Sequence, residues 1–418
     1  MASTSNDSSP EQRAVVVGGG PAGALMAVYL SRSGLFSVDV FEALEESKIS
    51  GPTIRSWNVV LFGRGADALE NAGFDLQEEA GESVVTLAGS VRHHAARKIS
   101  SFLSGSSSIC RGDLAKCLLD KASKMPDVSV HYGCTFSEAD MARSRVATFE
   151  RGNGDTVERE YDMLVGADGV NSRVRKALEE GVPGFTVRQH EARPPFFFKT
   201  VTVPIMGMEG ADESWKTRFH VSNSKTGSFI GSATQYGTIT AAVILSREGK
   251  STFGALMKTT QDVRDFFGTH YPSAFGRGGP SEEIAKDFLE RRPQRLRSTY
   301  CSSLSHGNTV LIGDAAHSMW ASLGQGVNAA LEDGQVFAQV LASATTEGGA
   351  APRAAVDVPA LLAAYNERRL EDALAAVALS EEGMGGGSRT PGIRFAATML
   401  VTMTLHKTLG RLAPEVRT

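Results

Sequence analysis

The sequence is poor in the features that would commit it to several protein classes. Its 418 residues hold only four cysteines, Cys110, Cys117, Cys134 and Cys301. None forms a C-x-x-C pair or has a histidine at metal-ligand spacing, which argues against a disulfide framework and a zinc site and fits a reducing, cytoplasmic setting. No stretch reaches the ~18 apolar residues expected of a membrane span. Charge of one sign is not in excess: 43 basic and 47 acidic residues give a formal net charge of −4, and with the signs interspersed nucleic acid is not an expected partner. Residues 1–11 lack the apolar core of a signal peptide and carry acids that a transit peptide avoids, so they read as a disordered lead-in.

Glycine is abundant, with 44 residues against a usual ~7% of a chain. The first cluster has a clear context. A β-branched run at 14–17 is followed at once by Gly18-Gly-Gly-Pro-Ala-Gly23 and a helical pattern that ends near Gly34; a second strand, 37–41, then ends in Glu42. In a G-x-G-x-x-G turn, Gly18 makes the bend, Gly20 lets a pyrophosphate approach the backbone, and Gly23 packs helix on strand. The free N–H groups at the helix start hold the phosphates. An acid at the end of the second strand takes ribose hydroxyls, which favours FAD or NAD over NADP. The fingerprint alone does not choose between those two.

Two later motifs do. MLVGADGV at 163–170 breaks at Asp168-Gly169, and VLIGDAAH at 310–317 reads as an apolar strand ending in an acid, with GQGVN at 324–328 opening a helix over 329–342. Together these motifs resemble the single-component FAD-dependent aromatic hydroxylases, the class A flavoprotein monooxygenase family of para-hydroxybenzoate hydroxylase. RSWNVV at 55–60, Arg64-Gly65, DVRDFF at 262–267 and Tyr271-Pro272 are similar to the kynurenine 3-monooxygenase branch of that family. The similarity runs from about residue 15 to 369.

The resemblance implies an α/β fold with a discontinuous, Rossmann-like, para-hydroxybenzoate hydroxylase-like FAD-binding domain from 12–81, 102–184 and 291–344. An inserted β-sheet substrate domain takes 82–101 and 185–290, and a C-terminal helical region takes 353–418. Strands are expected at 196–203, 227–230 and 238–245 from β-branched content and alternation, and an amphipathic helix at 358–380. By position, the family's FAD contacts fall on Ala22 at the pyrophosphate turn; on Phe41, Glu42, Ala43 and Leu44 at the ribose; on Val60 in the Arg55 segment and Arg111 in the segment 110–114; and on Phe136 near the adenine. Asp314 falls at the ribityl or pyrophosphate region, and Val327 and Asn328 at the isoalloxazine, where a helix N-terminus would stabilise charge on reduced flavin. Arg55 adds a second cation, Gly324 and Gly326 are turn glycines, and Asp168 lies where the fold approaches both nucleotides.

The implied chemistry uses FAD as cofactor and NADPH or NADH as a transient co-substrate. Reduced flavin would take up O2 as a C4a-hydroperoxide and transfer one oxygen to a hydrophobic aromatic or polyunsaturated small molecule, hydroxylating or epoxidising it. The alternative is a reductase, desaturase or redox-neutral isomerase or cyclase of the same fold. It is motivated by Ala321, which stands where family members usually carry proline. Residues 83–87 hold no arginine, and Ala373 and a residue near Ala397 replace polar groups that grip the kynurenine carboxylate. A buried carboxylate without partners costs several kcal/mol, so kynurenine itself is not expected. His317 belongs to the fold motif, His220 could face pocket or solvent, and no catalytic acid or base is assigned. Trp320 reads as core, with a substrate-stacking wall as the alternative. The apolar segment 393–409 has three readings: a helix capping the active site, a helix making peripheral membrane contact, or a spanning helix, the last disfavoured by its length.

Overall fold

The computed structural model describes residues 12–50, 57–93, 98–139, 145–191, 197–224, 226–245, 253–321, 323–347 and 355–383. The expectations for 1–11, Arg55 and 393–409 lie outside the described residues. The chain opens with β1 (Gln12–Val17), α1 (Pro21–Ser33) and β2 (Phe36–Phe41). β3 (Asn58–Leu61) and α2 (Gly63–Asn71) follow, then β4 (Ser107–Cys110), α3 (Arg111–Ser123), β5 (Met163–Gly166) and α4 (Arg173–Gly181). The middle of the chain supplies β6 (Phe197–Pro204), β7 (Arg218–Asn223), β8 (Gly227–Ala233) and β9 (Thr238–Leu245). The last part contains β10 (Thr309–Leu311), α5 (Asp314–His317), α6 (Gly326–Glu347) and α7 (Val358–Gly383).

Two large sheets organise these elements. A six-stranded sheet runs Ser305–His306, β10, β5, β1, β2 and Val128–His131, parallel apart from the first strand. Ala14 to Val17 are buried, as expected of a central parallel strand covered on both faces. α1 starts with Pro21 in its first turn, where a missing N–H costs nothing, and stops at Gly34, whose left-handed backbone returns its N–H to Ser31 O. The second sheet has seven strands in the order Gln294–Arg295, β6, β9, β8, β7, Gly89–Arg92 and Lys98–Ser100.

In the second sheet the two-residue period separates the faces cleanly. Ile239, Ala241, Val243 and Leu245 of β9 enter a core with Val201, Phe229 and the helical Phe267 and Phe288. The alternate residues Ala242 and Ile244, with Phe198 and Ile230 across the sheet, join Leu296 and Trp320 in a separate apolar cluster. Trp320 is the link between the sheets, since it lies on the loop between α5 and α6. A small sheet of β3, β4 and Val84–Thr86 packs beside it, with Ser232 Oγ donating to Ser108 Oγ at 2.7 Å. The expected apolar strand at 310–317 is shorter than its sequence suggests: β10 ends at Leu311, and Asp314 opens the short α5. Gly313, at φ +57, makes that corner.

Candidate functional site

The first glycine turn is closed on one side and open on the other. Gly18 has φ +104, and a Cβ there would lie 2.5 Å from Ala167 O; one on Gly23 would lie 2.0 Å from Gly18 O. Both positions therefore need glycine for protein packing alone. Gly20 differs, because a Cβ on it would meet no atom within 4 Å. It caps α1 without a side-chain hydrogen bond, so the N–H groups of Ala22 and Gly23 in the first turn receive no side-chain cap from it and have no intrahelical acceptor. Glu42 closes the far side: its Oε2 accepts from Gly19 N–H at 2.6 Å and its Oε1 from Leu44 N–H at 2.8 Å. Ala43 and Leu44 are exposed beside it. Phe41 and Phe136 point elsewhere, into an aromatic stack with Phe149.

The second and third motifs are stitched together by Arg175. Its guanidinium donates to Val170 O at 2.8 Å and to Ala315 O at 2.7 Å, tying the Asp168-Gly169 break to the start of α5. Asp168 Oδ2 accepts from the N–H groups of Arg173 and Val174, so its carboxylate caps α4. Asp314 reaches solvent, yet the protein packed around it disfavours the charge and raises its carboxyl above the ordinary range; Arg111 is the leading opposing influence. Arg111 stands at the start of α3 with its guanidinium 4.9 Å from the centre of the Trp57 ring.

α6 begins at the third glycine turn, and its first N–H groups lack intrahelical acceptors. Asn328 fixes that turn from within: its side chain accepts from Phe62 N–H at 2.8 Å and donates to Val60 O at 3.0 Å and Gly324 O at 3.2 Å. Below it Asp333, fully buried, accepts from Gly313 N–H, His317 Nε2 and Arg369 Nε at 2.7 to 2.8 Å. Burial alone would raise its carboxyl, but His317 and Arg369 hold it down to about 2. Arg369 also pairs with Glu332 at 2.7 Å, which pairs with Arg64 at 3.1 Å, whose guanidinium donates to Gln325 Oε1.

The cluster around Trp320 joins the loop between α5 and α6 to one face of the seven-stranded sheet. Trp320 N–H donates to Ser380 Oγ at 3.1 Å, and Trp57 meets Phe198 edge-on with ring centres 6.1 Å apart. Among the described residues of β6 to β9, this face carries no ionisable side chain. Arg291 touches its edge at Thr200 but is ion-paired with Asp287. His220 takes neither orientation expected of it. It is buried away from this face, bonded to His93 and to Trp215 O, and burial lowers its pKa to about 3.

The structure thus gathers Gly18, Gly20, Ala22, Gly23 and Glu42 at one turn and Gly324, Gly326, Val327 and Asn328 at another. Asp314 and Arg111 are close enough to interact electrostatically. Sequence reasoning missed Asp333, Arg369, Glu332, Arg64 and Arg175. The signal available was an acidic pair, Glu332-Asp333, inside an otherwise apolar helix, which requires a buried cationic partner.

A glycine turn open at Gly20, an acid closing the second strand and an inserted, mostly antiparallel sheet define a dinucleotide-binding protein of the Rossmann type. The chain belongs to the FAD binding domain family, whose profile matches residues 11–380. Kynurenine 3-monooxygenase from Salinispora arenicola is 30% identical over 382 residues, 86% of this chain and 80% of the relative. A solved 2-methyl-3-hydroxypyridine-5-carboxylic acid oxygenase superposes with a TM-score of 0.65 at 20% identity, covering 90% of this chain and 94% of that one. Klebsiella pneumoniae HpxO, solved with FAD and uric acid, gives 0.64 at 18% identity, covering 96% and 93%. The chain is therefore an FAD-dependent oxidoreductase of the aromatic hydroxylase and monooxygenase family. Among its described residues no helix is long and apolar enough to cross a membrane.

Proposed function

We propose that this protein uses NADPH or NADH and O2 to hydroxylate or epoxidise an uncharged, hydrophobic aromatic or polyunsaturated small molecule. The observation that carries this reading is the charge-free sheet face of Phe198, Ile230, Ala242 and Ile244, closed by Trp320 and Leu296. A ligand carboxylate there would meet no cation from β6 to β9, and Arg291, which reaches the face at Thr200, is already paired with Asp287. The two positions where the kynurenine enzymes are expected to grip their substrate point the same way: strand Val84–Thr86 holds no arginine, and Ala373 is buried in α7.

The residues present fit FAD. The open side of Gly20 and the N-terminus of α1 would take the pyrophosphate, Glu42 the adenosine ribose, and Arg111 with Asp314 the middle of the cofactor. The N-terminus of α6, at Gly326, Val327 and Asn328, would face the flavin ring and favour negative charge on it. Bound FAD supplies hydride acceptance and oxygen activation. The chain's own part is to place the substrate edge against that helix terminus and to keep water out with the Trp320 cluster. On this reading 12–81, 102–184 and 291–344 carry the cofactor, and 82–101 with 185–290 carry the substrate.

Ala321 favours a second reading, a reductase, desaturase or redox-neutral enzyme of the same fold, because it lacks the fixed φ of proline beside the reacting edge. FAD-loaded protein is incubated with NADPH or NADH and a panel of uncharged aromatic and polyene compounds. Oxygen uptake matched by a product heavier by one oxygen supports the first reading. Product without oxygen uptake supports the second and overturns the first.

A further inference from the structure

The candidate cofactor contacts near the flavin end come from two separate pieces of chain, the Gly313-Asp314 corner and the Gly324 to Asn328 turn, ten residues or more apart in sequence. One buried carboxylate touches the support of both. Asp333 accepts from Gly313 N–H at 2.7 Å, directly before Asp314, while standing on α6, whose first turn is the second piece. Its other oxygen accepts from Arg369 Nε at 2.8 Å. Arg369 belongs to α7, outside both large sheets, and it also donates to Ala329 O at 3.0 Å in the first turns of α6. Through Glu332 and Arg64 the same arginine reaches Gln325, the residue before α6.

We propose that Asp333 and Arg369 are positioning residues for the cofactor, fixing the separation between Asp314 and the α6 N-terminus and making α7 part of the flavin site. The inference rests on the reading that these two segments meet FAD. Buried pairs of this kind contribute little net stability compared with an apolar replacement, because desolvation offsets attraction. Their value lies in geometry: a carboxylate that accepts three directed hydrogen bonds permits one arrangement of its donors. His317 takes part through Nε2, which must donate because its partner is a carboxylate. No residue of this group has to touch the substrate, so each acts through the segments it holds.

The test compares Asp333→Asn, Arg369→Leu and Arg369→Lys with Lys199→Met, a substitution of a buried charge in the other sheet. FAD affinity is measured by flavin fluorescence, and the midpoint potential and visible circular dichroism are measured on bound FAD. Asp333→Asn and Arg369→Leu should weaken FAD roughly tenfold or more, the factor for one lost hydrogen bond to a charged group. They should also shift the potential and the dichroism of whatever flavin remains bound, with Arg369→Lys intermediate and Lys199→Met unchanged. Unaltered potential and dichroism in the variants, with FAD loss that only follows unfolding, would overturn the proposal. If Asp333→Asn does not fold, the two Arg369 variants decide the matter on the same readouts. Wild-type protein that binds no FAD would remove the underlying reading, a result distinguishable from any variant effect.

Discussion

The two sheets treat buried charge in opposite ways. Around the six-stranded sheet, buried carboxylates have side-chain partners: Asp333 has the buried His317 and Arg369, and Asp39 has the more exposed His131, Arg13 and Arg159. In the seven-stranded sheet the buried Lys199 and His220 hydrogen-bond carbonyls and a second imidazole rather than carboxylates. Lys199 donates to Leu289 O and lies 4.8 Å from the Phe288 ring centre, and burial, helped by Arg291, lowers its pKa to about 8. The first arrangement keeps charges and spends them on geometry; the second pushes groups toward neutrality. That contrast suits an anionic cofactor on one side and the uncharged ligand proposed for the other.

The largest expected break in this comparison is Asp333→Ala, which leaves the buried Arg369 with Glu332 as its remaining carboxylate and removes the acceptor shared by Gly313 N–H and His317. The free energy of urea unfolding should fall by about 3 kcal/mol, the lower end of the cost of breaking a buried pair, because Glu332 still partners Arg369. The pH dependence of Asp333 has a definite sign. Its pKa is below that of an unfolded carboxyl, so its stabilisation is present above about pH 4 and is lost as pH falls toward 2. Glu42→Ala comes next. It should weaken FAD binding by about 1.5–3 kcal/mol, measured as flavin retained on gel filtration at low concentration, and normal retention would remove Glu42 from the ribose site.

Lys199→Met sharpens the other side. Protonated Lys199 is disfavoured in the folded state, so wild-type stability should rise between about pH 8 and 10.5 as the proton is lost. The methionine variant should lack that rise and be more stable at pH 7 by about 1–3 kcal/mol; equal slopes for the two proteins would show that Lys199 is not buried as a cation. The smallest effect on the fold belongs to Gly20→Ala, about 0.5 kcal/mol or less in unfolding, because its Cβ enters open space. The same change should nonetheless reduce FAD binding. A variant that binds FAD normally would mean the opening is not the pyrophosphate's.

Local pattern carried much of the fold. The strands at 36–41 and 238–245 and the helix from 358 follow from β-branched runs, alternation and apolar periodicity, and the glycine turns from motifs whose chemistry is local. What could not be read is what closes over long sequence separations. Arg369 and Asp333 are 36 residues apart, and Arg64 reaches residues more than 260 positions away. Nor did alternation alone place His220, since its surroundings are set by His93 and Trp215 from other segments. Asn328 illustrates the mixture: its position at a helix start was legible, but its side chain serves β3 and α2.

The uncharged face beneath Trp320 has a consequence for selectivity. A wall that offers neither a salt bridge nor a forked hydrogen bond distinguishes ligands by volume, and one methylene in such a wall is worth only about 1–3 kcal/mol. On the proposed reading, the protein would then turn over a series of related compounds whose relative rates track their size, and its natural substrate would be set as much by what the cell supplies as by the pocket.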